Sequence, residues 1–313
     1  MARSIFSGTT SVDSGERSEY TMILSRAFTL AFGKDSSYKV DVLRLDKIHP
    51  LLSGNKWFKL SYYLNKIREE GKKEIITFGG PYSNHIHATA AACRYMNIKS
   101  IGIIRGGQPE KLSPTLQDAQ SMGMELIFSS REDYRKFQKN EVLNLQFPDA
   151  LIIREGGYGP EGALGAMKIL EHTAHLSYSH ILVSSGTGTT LAGLTCAANR
   201  DQKVIGITAL KNNFSLKEEV EFLLPPDKFN HFELVFEYHF GGYAKYTSEL
   251  LSFMNEWYNK TNIPTDFVYT GKLFFALKDL IRKKHFPTNS KILVIHSGGL
   301  QGNRSLPKGL LIF

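Results

Sequence analysis

The chain has 313 residues, 42% hydrophobic and 22% charged, with 27 Gly, 11 Pro and only two cysteines, Cys93 and Cys196. That length allows about two domains, and the balance excludes a disordered, collagen-like or disulfide-stapled chain and suits a reducing compartment. The net charge of +8 is scattered, its densest cluster being Arg282-Lys283-Lys284-His285. No zinc-finger spacing, RNA-binding aromatic signature or basic arm accompanies it, which argues against nucleic acid and for a basic surface suited to small anions.

The first 22 residues hold Arg3, Asp13, Glu16, Arg17 and Glu19 and lack the apolar centre of an export signal. No run approaches the roughly 18 apolar residues of a membrane span. The expectation is a cytoplasmic protein with no membrane partner.

From about residue 74 short β-branched runs alternate with helical stretches. Strands are predicted at 75–78, 101–104, 125–128, 151–153, 181–184, 204–208 and 292–296, with helices at 84–95, 114–122, 132–142, 161–171 and 190–198. This alternation means βαβ units and parallel sheet, so the fold class is α/β. The stretch Phe236-Glu237-Tyr238-His239-Phe240-Gly241-Gly242-Tyr243-Ala244-Lys245 interrupts the pattern and reads as a tight turn packed by an aromatic.

Three Gly-punctuated loops follow strands: Phe78-Gly79-Gly80-Pro81-Tyr82-Ser83-Asn84, Ser184-Ser185-Gly186-Thr187-Gly188-Thr189-Thr190 and His296-Ser297-Gly298-Gly299-Leu300. Ligands of open α/β sheets bind at the carboxyl ends of strands, and free N–H groups at a following helix attract anions. The 185–190 loop is the best phosphate candidate, against the plainer reading of an empty strand-to-helix turn. A P-loop would need Gly-Lys-Ser/Thr, and a dinucleotide fold an acidic residue about 20 positions on. Here that region reads Thr208-Ala209-Leu210-Lys211, so a lone monophosphate fits better than NAD.

Upstream stands Ser53-Gly54-Asn55-Lys56-Trp57-Phe58-Lys59-Leu60, a lysine among small polar and bulky aromatic residues at the edge of a helix. Desolvation lowers a lysine's pKa, as imine chemistry with an aldehyde cofactor requires. His85 and His87 at i, i+2 diverge on a helix, and His172 and His175 lack a carboxylate motif, so no metal site is expected.

Six blocks in order resemble the 1-aminocyclopropane-1-carboxylate (ACC) deaminase and D-cysteine desulfhydrase family of tryptophan-synthase-β-like, fold type II pyridoxal-phosphate (PLP) enzymes. They are Ser53-Gly54-Asn55-Lys56 with Lys59-Leu60; Gly79-Gly80 with Ser83-Asn84; Glu155-Gly156-Gly157 with Gly162-Ala163-Leu164-Gly165; Ser185-Gly186-Thr187-Gly188-Thr189; Val268-Tyr269-Thr270-Gly271-Lys272; and His296-Ser297-Gly298-Gly299-Leu300-Gln301-Gly302. They run from about residue 40 to 304.

The resemblance implies that Lys56 holds PLP as a Schiff base and shuttles the substrate's proton. It implies Asn84 on the cofactor's phenolic oxygen, Ser185, Gly186, Thr187, Gly188 and Thr189 around its phosphate, and Ser297 near the pyridine nitrogen. Ser83 would meet the substrate carboxylate or assist proton transfer, and Tyr269 would stand near the substrate. Tyr243, in Gly241-Gly242-Tyr243-Ala244-Lys245, also matches the family without an assigned chemistry.

Three departures bear on the reaction. ACC deaminases carry Glu after the active-site tyrosine, where this chain has Thr270 as desulfhydrase-like members do. They carry Gln before the Ser-Asn pair, where this chain has Tyr82, a candidate substrate contact. Arg44-Leu45-Asp46-Lys47-Ile48-His49 replaces the family's Arg-Asp-Asp segment.

The reading implied is a two-domain enzyme with 57–155 as a smaller domain inserted into a larger one of 1–56 and 156–313, PLP in the cleft, and a homodimeric assembly. The reaction would be deaminating β-elimination from a small amino acid to a 2-oxo acid and ammonia, as in D-cysteine desulfhydration. ACC ring opening, a PLP-holding non-catalytic binding protein and a nucleotide-binding oxidoreductase are the alternatives.

Overall fold

The computed structural model describes residues 24–26, 38–49, 51–52, 54–138, 146–173 and 177–313. The stretch before residue 24, Ser53 of the lysine block, the far end of the helix expected at 132–142, and His175 lie outside them.

Two parallel-rich sheets form the frame. The larger has the order β1(Leu24–Arg26), β2(Lys39–Arg44), β10(Lys291–His296), β7(His180–Ser185), β8(Lys203–Thr208), β9(Phe232–Val235), with only β1 antiparallel. The smaller has the order β5(Glu125–Ser129), β4(Lys99–Arg105), β3(Glu74–Gly79), β6(Ala150–Ile153), all parallel. β3, β7, β8 and β10 are buried past their first residue, as expected of strands covered on both faces. The helices between them are α1(Asn55–Glu69), α2(Asn84–Met96), α3(Pro114–Ser121), α4(Arg131–Phe137), α5(Pro160–Met167), α6(Thr189–Ala197), α7(Leu216–Glu221), α8(Ser248–Thr261) and α9(Thr270–Arg282).

Each predicted strand is present, most extended by a residue or two. The predicted helix at 161–171 stops at Met167 and continues as a 3-10 turn. Strands β1, β2 and β9 are not among those the alternation predicts.

Both sheets reverse direction beside a central strand. From β7 the chain steps outward through β8 to β9, and later returns to the other side of β7 as β10. From β3 it steps outward to β4 and β5, then returns beside β3 as β6. Such reversals open a crevice at the carboxyl ends of the strands. The crevices of β7/β10 and β3/β6 face one another, and α1 joins the two halves.

α1 buries Phe58, Leu60, Tyr63, Leu64 and Ile67, the 3–4 spacing of a helix with one apolar face. Gly54 begins it at φ +75°, where a Cβ would lie 2.0 Å from the carbonyl oxygen of Ser297. Only glycine lets the chain pass so close, and Asn55 N then donates to that same oxygen (3.2 Å). Lys56 is thereby brought beside the end of β10.

Candidate active site

The cleft between the sheets is lined by Lys56, Lys59, Ser83, Asn84, His85, Glu155, Ser185 to Thr190, Tyr243, Tyr269 and Ser297 among others. It therefore brings together residues implied by the sequence from four separate strand ends. Tyr82 is not among them: its side chain is 38% exposed, on the approach to α2.

Lys56 Nζ donates to Asn55 Oδ1 (3.1 Å), and Asn55 Nδ2 donates to Thr190 Oγ1 (2.8 Å), which joins α1 to α6. Enclosure by the cleft walls lowers its pKa to about 8, against the opposing charge of Asp266. Lys59, one turn on, is buried, donates to Gly156 O (2.8 Å) and is held well below an ordinary lysine by burial and by Lys56.

Ser83 caps α2, its Oγ accepting from Ile86 N (3.3 Å), and Asn84 Oδ1 accepts from Gln301 Nε2 (2.9 Å). Ser297 follows β10. Tyr269 immediately precedes α9 without capping it, its ring is edge-on to Tyr243 at 6.3 Å, and desolvation raises its pKa far above that of a free phenol.

α6 begins at Gly188 with no side-chain cap, so its first N–H groups have no partner of their own. Ser185 Oγ is buried without a hydrogen-bond partner, and Thr187 and Thr189 share a hydroxyl contact of 3.1 Å. The backbone of Gly188 lines the cleft while its bare side faces α7: a Cβ there would lie 2.5 Å from Val220 and 3.2 Å from Leu216, at φ +77°. It shapes the loop against α7, whereas a Cβ on Gly186 would point at Tyr269 (3.3 Å).

His85 is buried in α2, with Nε2 at 2.8 Å from Thr77 Oγ1. That hydroxyl donates to Ile153 O (2.9 Å), so it accepts from His85 and leaves Nδ1 as a buried acceptor without a partner. His87 instead faces Asp118 at 3.5 Å. Among the described residues no three His, Cys, Asp or Glu converge on a possible metal position.

The residue that sequence reading missed is Asp266. It is fully buried and accepts from Val268 N, Tyr269 N, Thr270 N and Thr270 Oγ1 at 2.7–3.0 Å, which fixes the turn into α9. Burial raises its pKa, against those same hydrogen bonds. An Asp just ahead of a helix start was the available signal. Thr270 is thus committed to Asp266 and is not part of the cleft lining. The Arg44–Asp46 segment forms a buried pair (2.6 Å) beneath His296, 3.1 Å away. Although burial works the other way, Arg44 and His296 hold Asp46 below the usual carboxylate range.

An unpaired helix N-terminus, an orphaned hydroxyl and two lysines of depressed pKa suit a phosphate-bearing aldehyde: Lys56 for the aldehyde, the α6 end for the phosphate. An α/β frame with such a cleft at paired strand reversals defines the class of fold type II PLP enzymes. Residues 34–298 match the pyridoxal-phosphate dependent enzyme family, and the chain belongs to it.

Its relatives include a Pyrococcus horikoshii protein provisionally named a 1-aminocyclopropane-1-carboxylate deaminase, 31% identical over 276 residues (80% of this chain, 81% of that one). Another is the mitochondrial bifunctional D-cysteine desulfhydrase/ACC deaminase of Arabidopsis thaliana, 28% identical over 289 residues (80% and 70%). Among solved structures, an ACC deaminase homologue superposes with a TM-score of 0.75 at 29% identity, covering 85% of this chain and 86% of its own. The chain is a PLP-dependent enzyme with homologues that deaminate small amino acids.

Proposed function

We propose that the chain catalyses deaminating β-elimination from a small amino acid, in the manner of a D-cysteine desulfhydrase, giving a 2-oxo acid and ammonia. The observation that carries this is Thr270: its hydroxyl is locked on Asp266, so no ionisable side chain stands where ACC deaminases carry Glu. Opening a cyclopropane that has no α-hydrogen demands an extra acid–base group. β-Elimination needs only removal of an acidic α-proton and a leaving group.

Bound PLP supplies the electron withdrawal that makes the α-proton removable. Lys56 Nζ, with its pKa lowered to about 8, is available as the amine that holds the cofactor and takes that proton. The α6 N-terminus with Ser185, Gly186, Thr187, Gly188 and Thr189 would hold the phosphate, and Lys59 lines the same cleft. Asn84 would meet the cofactor's phenolic oxygen and Ser297 its pyridine nitrogen, where a neutral hydroxyl leaves the nitrogen unprotonated and favours elimination. Ser83 and Tyr269 would orient the substrate.

The same reading assigns 57–155 as a smaller domain inserted in a larger one of 1–56 and 156–313, supported by all four strands of the smaller sheet falling within 74–153. A cytoplasmic homodimer is part of it, supported by the free thiols Cys93 and Cys196 and by the family resemblance.

The test compares 2-oxobutyrate release from ACC with pyruvate and sulfide release from D-cysteine on one PLP-loaded preparation. Loss of one acid–base group costs about 10²- to 10⁴-fold, so D-cysteine should be turned over faster by that order. ACC turnover equal to or faster than D-cysteine turnover refutes the reading.

A further inference from the structure

The turn at 239–244 has backbone that ordinary residues avoid. Phe240 (φ 49°), Gly241 (91°), Gly242 (115°) and Ala244 (52°) are all left-handed, and Phe and Ala have no local reason to be so. Strained backbone persists only where its surroundings over-determine it. The turn's own bonds are few: Gly242 N to His239 O (2.9 Å), Lys245 N to Gly242 O (3.2 Å) and Gly241 N to His239 Nδ1 (3.0 Å).

Packing adds to them, since Phe240 stands edge-on to Phe275 at 4.8 Å and Tyr243 and Ala244 lie against the core, and a polar hold comes from Lys272. Its Nζ, in the first turn of α9, donates to Gly242 O (2.7 Å), His239 O (2.8 Å) and Ala209 O at the end of β8 (3.4 Å). The residue is 1% exposed, and all three donors of its ammonium meet backbone carbonyls. The residue after Gly242 is Tyr243, which lines the cleft edge-on to Tyr269, and Tyr269 immediately precedes the helix that bears Lys272. One ammonium therefore ties together the segments that carry both cleft tyrosines.

We propose that Lys272 is a positioning residue, a cation built into the chain, whose ammonium clamps the 239–242 turn so that Tyr243 walls the cleft against Tyr269. It acts through Tyr243 and touches none of the cleft. Three carbonyl oxygens converging on one positive centre are the ligands of a small monovalent cation. Shortening the side chain should therefore leave a place that such a cation can fill. The clamp rests on the cleft being the cofactor site; it does not depend on which amino acid reacts there.

The test uses PLP-loaded Lys272→Ala and Lys272→Met with two readouts: the visible circular dichroism of bound PLP, and kcat/KM for deamination of β-chloro-D-alanine. A displacement of about 1 Å in a substrate-positioning group can cost on the order of 10²-fold. In tetramethylammonium buffer both variants should lose kcat/KM by about 10- to 100-fold and show an altered PLP signal. Ammonium or potassium should restore Lys272→Ala in both readouts. Lys272→Met, whose side chain fills the space, should not respond, and the parent should be indifferent to cation. Parent-like behaviour of either variant overturns the proposal, as does a loss in Lys272→Ala that no small cation reverses. If Lys272→Ala does not fold, a folded Lys272→Met with parent-like readouts overturns it and one with the loss supports it. If the parent itself deaminates no amino acid, the proposed reaction fails while the PLP signal still decides the clamp.

Discussion

Lys56 and Lys272 have the same electrostatic history and opposite uses. Burial lowers each to about 8, and the charge of Asp266 opposes the shift in each. Lys56, however, donates to Asn55 alone among the described residues and opens on a cleft. Lys272 has every donor engaged by a carbonyl. A depressed pKa therefore does not by itself mark a reactive lysine. Donors left free beside open space do, because only those can bond to something that arrives.

The largest expected effect breaks the comparison at Lys56. Lys56→Ala should abolish the visible band of bound PLP and turnover while the melting transition stays close to the parent's, since no core contact is removed. In the parent, borohydride reduction and peptide mapping should place the pyridoxyl group on Lys56. A label on Lys59 or Lys272 would reverse the assignment of roles.

A smaller effect is expected from Gly186→Asp, which puts a carboxylate toward Tyr269 and the α6 N-terminus. A carboxylate there takes the place of the phosphate in a helix-end interaction of about 0.3–2 kcal/mol, a loss of up to roughly 30-fold. PLP titration of the apoprotein should show that loss. Undiminished affinity would place the phosphate elsewhere. Gly188→Asp is the poorer probe, because its side chain would collide with Val220 and Leu216 and so confound charge with packing.

The mildest test sharpens the comparison through pH. Only the neutral amine attacks an aldehyde, so a lysine lowered to about 8 is mostly protonated below that pH and free above it. The rate of PLP uptake by the apoprotein should climb about tenfold per unit toward pH 8 and level off beyond. Lys272→Met should leave the position of that bend unchanged. A bend that moves with Lys272, or lies near 10, would show that Lys56 is not the titrating amine.

Much of the site was legible along the chain because its parts are local. Gly-hydroxyl loops after apolar strands announce themselves at any strand end, and βαβ alternation needs only short-range pattern. Neighbours in sequence share a loop without sharing surroundings: Ser83 and Asn84 line the cleft where α2 starts, while Tyr82 beside them is exposed. The backbone of Gly188 lines the cleft while its bare side packs toward α7, a division that no residue type announces.

By itself the sequence determined the α/β class, the strand ends that line the cleft and the lysine beside small residues, since each follows from period, punctuation and composition. Only the tertiary structure decided that Asp266 braces the turn before α9, that Thr270 is bound to it, and that Lys272 is saturated while Lys56 is not. The Asp266 contacts span only two to four residues but depend on the turn the chain takes there, whereas Lys272 meets the carbonyls of Gly242 and Ala209 across 30 and 63 residues of chain. Backbone groups are the same at every position, so no residue type reports which of them will be near.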